Sequence, residues 1–328
     1  MSKTNGERTF EDKPATREQT PLIIGLSGPS SSGKTYSALR LATGIQSVVG
    51  GDVYGIDTEA KRMLHYADRF RFRHVSFVAP FGPLDYLAAI KHCVGKGAST
   101  LIIDSMSHEH EGPGGVLEMH ESEKQRMGGG DKQNFAAWAK PKADRRKLIN
   151  GILQLPVNVI MCFRAKQKLK VISGKPPQEL GWQPIAGEEF IYECALHCLM
   201  LPGARGTPSW ASDNDAEQAA MKLPEQFESL FADAPQLSED IGRRLAEWAS
   251  GKDLPGSAGG ADPLAGDVAR LVAQFDAATS SDEIDAGRAT ASDLKSGAGR
   301  AWTRAHTDAI RAAIARAQQR LAAAEQAA

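Results

Sequence analysis

Pro21-Leu-Ile-Ile-Gly-Leu-Ser27 runs directly into Gly28-Pro-Ser-Ser-Ser-Gly33-Lys34-Thr35, and a helical pattern follows from Thr35 to Gln46. The octapeptide fits GxxxxGK[ST] at every fixed position. An apolar strand before it and a helix after it are the context that gives the motif its meaning. Gly28 and Gly33 let the backbone curl so that successive N–H groups point inward at an anion. The helix that starts there turns its positive end on the same anion. Pro29, Ser30, Ser31 and Ser32 complete the loop. Lys34 brings a mobile charge to β- and γ-phosphates, and the Thr35 hydroxyl is placed to ligate Mg²⁺. The loop reads as a cradle for ATP and its Mg²⁺.

Outward from this loop, short apolar runs alternate with helical patterns. Strands are expected at Asp52–Asp57, Val75–Val78, Thr100–Asp104 and Val157–Phe163, and a strand or strand pair at Phe190–Leu201. Helices are expected at Leu84–Cys93 and Phe135–Leu153, then at Leu223–Phe231 and Leu237–Trp248. The alternation predicts an α/β fold with a mostly parallel central sheet flanked by helices on both faces.

Two acidic strand ends complete the chemistry. Leu101-Ile-Ile-Asp104 ends an apolar strand in a carboxylate, the arrangement that holds a Mg²⁺ shell opposite a phosphate loop; a helix cap is the alternative. Tyr54-Gly-Ile-Asp57-Thr58-Glu59 ends another. From spacing alone, Glu59 reads equally as the base that orients the attacking water and as part of a helix N-terminus capped by Asp57 or Thr58.

Phosphate loop, Ile-Asp-Thr-Glu and Ile-Ile-Asp-Ser, in that order, resemble the RecA-like recombinase ATPases. More closely, the chain resembles phage-encoded, RecA-core-only, AAA-family ATP-binding proteins linked to single-strand annealing. The matching residues include Ile102–Gly112, Val159–Lys168, Trp182-Gln-Pro184 and Phe190-Ile-Tyr-Glu193, and the likeness spans about residues 21–250. It implies a RecA-like P-loop NTPase core that hydrolyses ATP with Mg²⁺ bound through Thr35 and Asp104. Lys34 and Glu59 are then the catalytic pair. Where the family places a polar sensor this chain has Arg164, expected to touch the γ-phosphate or a DNA phosphate. The resemblance also implies a homo-oligomer and single-stranded DNA as ligand; a single-strand-binding protein is the further partner expected if the chain is a binding module that keeps ATP as a structural ligand.

In such cores the loop after this sensor strand meets single strands. From Arg164 to Lys175 the chain carries Arg164, Lys166, Lys168, Lys170 and Lys175 and no acid. Those five charges suit salt-sensitive, sequence-independent binding to phosphates, and Trp182 offers a stacking face. The segment from Ser107 to Gly115 and the glycines of Met127-Gly-Gly-Gly-Asp131 would form another ligand-ordered loop. Lys140, Lys142, Arg145, Arg146 and Lys147 make a second basic cluster, best read as a solvated helix face. His108-Glu109-His110-Glu111 is not HExxH and does not converge on one ion unaided; Glu109 competes with Glu59 as the base.

The 328-residue chain has 39 Lys+Arg against 40 Asp+Glu, a net charge of −1 that excludes a globally basic nucleic-acid binder but not a local basic groove. Its four cysteines form no CxxC pair, so zinc-ribbon and thioredoxin-type chemistry are not indicated. No apolar run is long enough to span a membrane, and the N-terminus has no secretory pattern. A cytoplasmic location is expected, in a bacterial host if the chain is phage-encoded. Residues 1–20 read as a flexible arm, 21–250 as the core, 251–266 as a Gly/Pro linker and 267–328 as a C-terminal helical appendage with two helical segments. The competing readings are another P-loop enzyme, such as a small-molecule kinase, or an ATP-binding module without DNA-coupled turnover.

Overall fold

The computed structural model describes residues 12, 15, 17, 20–171, 177–252, 254, 264–298, 302 and 304–327. The chain divides into two compact units, Met1–Leu254 and Pro255–Ala328. The first begins with β1 (Ile23–Gly28), α1 (Lys34–Val49), β2 (Asp52–Asp57), a 3-10 turn (Arg62–Tyr66), β3 (Arg73–Ser76), α2 (Pro83–Gly95) and β4 (Ala98–Asp104). Next come α3 (His108–Glu111), α4 (Val116–Arg126), α5 (Asp131–Ala136), α6 (Ala139–Leu153), β5 (Asn158–Lys170) and β6 (Gln178–Pro184). It closes with α7 (Glu188–Glu193), β7 (Leu196–Leu199), α8 (Asp215–Gln218), α9 (Glu225–Glu228) and α10 (Glu239–Ala249).

The strands form one seven-stranded sheet in the order β3-β2-β4-β5-β1-β7, parallel throughout except for β6, which pairs antiparallel with β5. The central strands are apolar at successive positions because both faces are covered. Ile24, Leu26, Ile102, Ile160 and Cys162 pack under α1 and α10. Their neighbours Ile23, Leu101, Ile103, Val159, Met161 and Phe163 pack on the other face, beneath α2 and α6. Parallel register then aligns the carboxyl ends, where ligands bind in open α/β sheets. Asp57 lies beside Asp104, Asp104 beside Cys162, and Gly28 beside Arg164. Because β5 runs between β1 and β4, whatever follows Phe163 emerges between the phosphate loop and Asp104.

Several expected elements differ. Phe135–Leu153 is not one helix: α5 and α6 are separate, and Pro141 lies in the first turn of α6, where its missing N–H costs no bond. Phe190–Glu193 belongs to α7 rather than to a strand, and only Leu196–Leu199 joins the sheet. The Leu223–Phe231 segment forms one turn, α9. The basic segment from Arg164 is not a loop: β5 continues to Lys170 and pairs with β6 as a hairpin. Lys175 lies outside the described residues.

Among its described residues the second unit holds α11 (Ala265–Ala277), α12 (Ser281–Ala298) and α13 (Arg304–Ala327), three helices where two were expected. Phe275, Leu271, Ile284, Ile310, Ala313 and Ala317 form its core. The apolar face of α13 is thus spent on its own bundle, and Arg316 pairs with Asp276 at 2.9 Å. No helix among the described residues is long and apolar enough to cross a membrane.

Candidate active site

The phosphate loop joins the fully buried β1 to α1. Gly33 has φ +100, in the left-handed region where a side chain is strained, and a Cβ on it would press on the Gly206 backbone at 2.9 Å. A Cβ on Gly28 would meet the Met200 carbonyl and Ser32 Oγ. Only glycine lets the loop lie this close to β7 and the turn after it. Lys34 Nζ folds back over the loop and donates to the Gly28 and Pro29 carbonyls at 2.9 and 2.7 Å. Burial lowers the Lys34 pKa, an effect opposed by nearby Cys162, Asp104 and Glu59. Ser32 Oγ is buried without a hydrogen-bond partner, a polar atom whose natural complement is an anion's oxygen.

Across the cleft Thr35 Oγ1 donates to Asp104 Oδ2 at 2.5 Å. Two hard oxygen donors at that separation fit one Mg²⁺ and its waters, and Mg²⁺ is held by few protein ligands plus phosphate. Burial pushes the Asp104 carboxyl up to about 6, against the Thr35 hydrogen bond that lowers it. A cation would restore the charged form.

Beyond β2, Asp57 is buried and accepts from Glu59 N at 2.8 Å, Met63 N at 3.0 Å and His74 Nε2 at 3.1 Å. It therefore caps the turn that carries Glu59 and leaves the Glu59 carboxylate facing the cleft. Glu59 Oε1 accepts from Arg164 Nε at 2.9 Å and Nη2 at 2.6 Å, and Arg62 Nη1 lies 3.4 Å from Oε2. Arg164 thus grips the candidate base instead of standing free toward a phosphate.

Glu109, the competing base, is fully buried and held by Arg145 Nε and Nη2 at 3.0 and 2.8 Å. Arg145 also donates to His110 Nδ1 at 2.9 Å, and burial with this guanidinium holds His110 down at about 4. That geometry removes Glu109 from water and makes α3 a buried ionic anchor. It also takes Arg145 out of the second basic cluster, whose Lys140 and Lys147 pair with Glu123 and Asp144 at 3.0 and 2.7 Å.

A cleft of about 760 Å³ brings together Pro29, Ser30, Ser31, Gly33, Lys34, Thr35, Glu59, Asp104 and Arg164. Arg62, His65, Tyr66 and Glu111 line it too. Sequence reasoning missed Arg62, His65 and Tyr66. The available signal was Arg62-Met-Leu-His65-Tyr66, an unusually polar and aromatic turn directly after an acidic strand end.

The hairpin rises beside this cleft. Arg164, Lys166 and Lys168 occupy alternate positions of β5 and so share one face of the strand, and Lys170 follows a register shift in the β5–β6 ladder between Gln167 and Leu169. Lys166 reaches Glu111 at 3.7 Å, which sets that face toward α3. The opposite face carries Ala165, packed with Leu199 and Met221, and then Leu169, 63% exposed; Val171, just past the strand, is 77% exposed.

No curated protein matches the chain. Residues 20–193, more than half its length, match the family model described as an AAA domain. That span holds the phosphate loop, both acidic strand ends, Arg164 and the whole hairpin, and the chain belongs to the AAA domain family.

Proposed function

We propose that the chain hydrolyses ATP with Mg²⁺ and that the lysine face of the hairpin couples this turnover to single-stranded DNA. The observation that carries the hydrolytic half is the meeting of Thr35 and Asp104 at 2.5 Å beside the glycine–lysine loop. Loop N–H groups, Lys34 and the α1 N-terminus bind the phosphates, and Thr35 and Asp104 hold the Mg²⁺, which neutralises phosphate charge when bound. Glu59, on a turn fixed by Asp57, takes the proton of a water whose oxygen attacks the γ-phosphorus. The bond to the β-phosphate oxygen breaks, and ADP leaves with its electron pair.

The DNA half rests on β5. Arg164 closes the site at one end of the strand, Lys166 and Lys168 continue the same face outward at a spacing of two residues, and Lys170 follows beyond the register shift. Cations at about 7 Å intervals along one face suit a flexible phosphodiester chain. The test is the ATPase rate with and without single-stranded DNA for the wild type and Lys34→Ala. Turnover that DNA stimulates and Lys34→Ala abolishes is expected. ATP turnover indifferent to DNA but dependent on a small metabolite would move the assignment to a kinase-type enzyme.

A further inference from the structure

We propose that Arg62 and Arg164 form a clamp on Glu59 that the γ-phosphate of a bound nucleoside triphosphate opens. The site would thereby read the third phosphate before its base is freed. The inference rests on the ATPase reading above and adds Arg62 as a substrate-contacting residue.

Both oxygens of the Glu59 carboxylate are engaged, Oε1 from β5 and Oε2 from the turn after β2. Arg164, at the end of the buried part of β5, holds Oε1 with two N–H groups, and Arg62, first residue of the turn after β2, approaches Oε2. A carboxylate whose lone pairs accept from two guanidiniums is a poor acceptor for a proton from water.

The backbones of all three residues are anchored, and both guanidiniums reach solvent in the cleft. Arg164 N donates to Ser107 Oγ at 2.8 Å, Glu59 N to Asp57 Oδ1 at 2.8 Å, and Arg62 N to the Glu59 carbonyl at 3.3 Å. The Glu59 side chain is 12% exposed, but those of Arg164 and Arg62 are 41% and 66% exposed and line the same cleft as Lys34. The guanidinium heads therefore have open cleft to turn into once an anion competes for them, while the backbone stays in place.

Charge decides the exchange. One carboxylate faces two guanidiniums, so the clamp carries surplus positive charge. A γ-phosphate offers three oxygens and more negative charge, and planar guanidinium forks match it. Drawing the arginines onto phosphate releases the carboxylate in the same movement. A diphosphate supplies no such anion, and the clamp stays on Glu59.

The consequence is measurable without turnover, because Glu59 and the γ-phosphate compete for the same two side chains. Calorimetry would give the affinities of the full chain for ADP and for a non-hydrolysable ATP analogue with Mg²⁺. Arg62→Ala and Arg164→Ala should each weaken the triphosphate analogue by about tenfold and leave ADP within about twofold, as expected for one charge-assisted contact. Glu59→Gln, which keeps the shape and removes the competing charge, should tighten the analogue severalfold relative to ADP while abolishing hydrolysis. Arg164→Lys should restore part of what Arg164→Ala loses, which separates a charge effect from a folding defect. Equal loss for both nucleotides in the arginine variants, or an unchanged ratio in Glu59→Gln, would overturn the clamp while leaving the ATPase reading standing. Failure of either nucleotide to bind the wild type would overturn that reading as well.

Discussion

The two halves of β5 are one continuous strand built on opposite principles. From Asn158 to Phe163 it runs between β1 and β4, buried at every position, with side chains shared between two apolar layers. Arg164 still lies beside Gly28 of β1; beyond it the strand loses both parallel neighbours, pairs only with β6, and alternates cations with Ala165, Gln167 and Leu169. In the first half burial dictates the apolar run from Val159 to Phe163, and the one polar residue, Asn158, is held by Leu22 N and the Ser99 carbonyl. In the second half only pairing and the alternation are constrained, so the exposed face is left to a ligand. Arg164 is the hinge residue between them, its backbone tied to Ser107 and its head to Glu59.

The largest expected difference is in stability. Phe163 is fully buried, 6.1 Å from the Phe190 ring and 5.9 Å from His197. Phe163→Ala should cost about 3–5 kcal/mol. Leu169→Ala, six positions along the same strand, should change stability by less than ~0.5 kcal/mol. Chemical denaturation of both variants checks the contrast. Similar costs would mean that the outer half is part of the cooperative core.

The same contrast explains what was legible in the sequence. Leu101-Ile-Ile-Asp104 and Val157–Phe163 announced buried strands because continuous apolar runs have no other stable placement than a covered sheet. The phosphate loop was legible because its chemistry is local, eight residues with a strand before and a helix after. Arg164–Lys170 carried the two-residue period of a strand, but lysine has low strand propensity. Its extension is decided by pairing with Gln178–Pro184, a partner no local pattern names. Phe190-Ile-Tyr looked like a strand by composition, yet Glu188 and Glu189 favour a helix start in front of it. Pro141 was the overlooked sign that a helix starts near it rather than passing through. The Arg164–Glu59 pair joins residues 105 apart, and only a sheet order that inserts β5 between β1 and β4 brings them together.

A smaller effect tests the boundary where the buried half meets the site. Asp104 lies beside Cys162 in register, and burial raises its carboxyl to about 6 from 3.8. Between those values the folded chain binds more protons than the unfolded one, so this group makes stability fall as pH rises through that window. Asp104→Asn removes the penalty. At pH 7 the variant should be more stable than the wild type by about 1–3 kcal/mol, with the gain vanishing below about pH 4. It should also lose Mg²⁺-dependent nucleotide binding. Denaturant melts at both pH values check the sign. A variant less stable at pH 7 would show that the carboxylate is stabilised by its surroundings instead of strained by them.

The smallest effect belongs to the outer half and is read in salt, not in stability. Lys166→Ala/Lys168→Ala/Lys170→Ala removes three cations from the outer half of β5 whose side chains make few structural contacts; the ion pair of Lys166 with Glu111, at 3.7 Å, is half-exposed and contributes little. Each lysine that neutralises a phosphate releases about 0.7 of a counterion from a single strand, so the slope of log affinity against log salt should shrink by about 2. The melting transition should stay where it is. A salt slope unchanged in the triple variant would take the hairpin out of the DNA interface and leave β5 with a single role, carrying Arg164 to Glu59. A slope that shrinks together with stability would mean that the lysine face packs against its own chain, and the division of β5 into a structural half and a ligand half would fail.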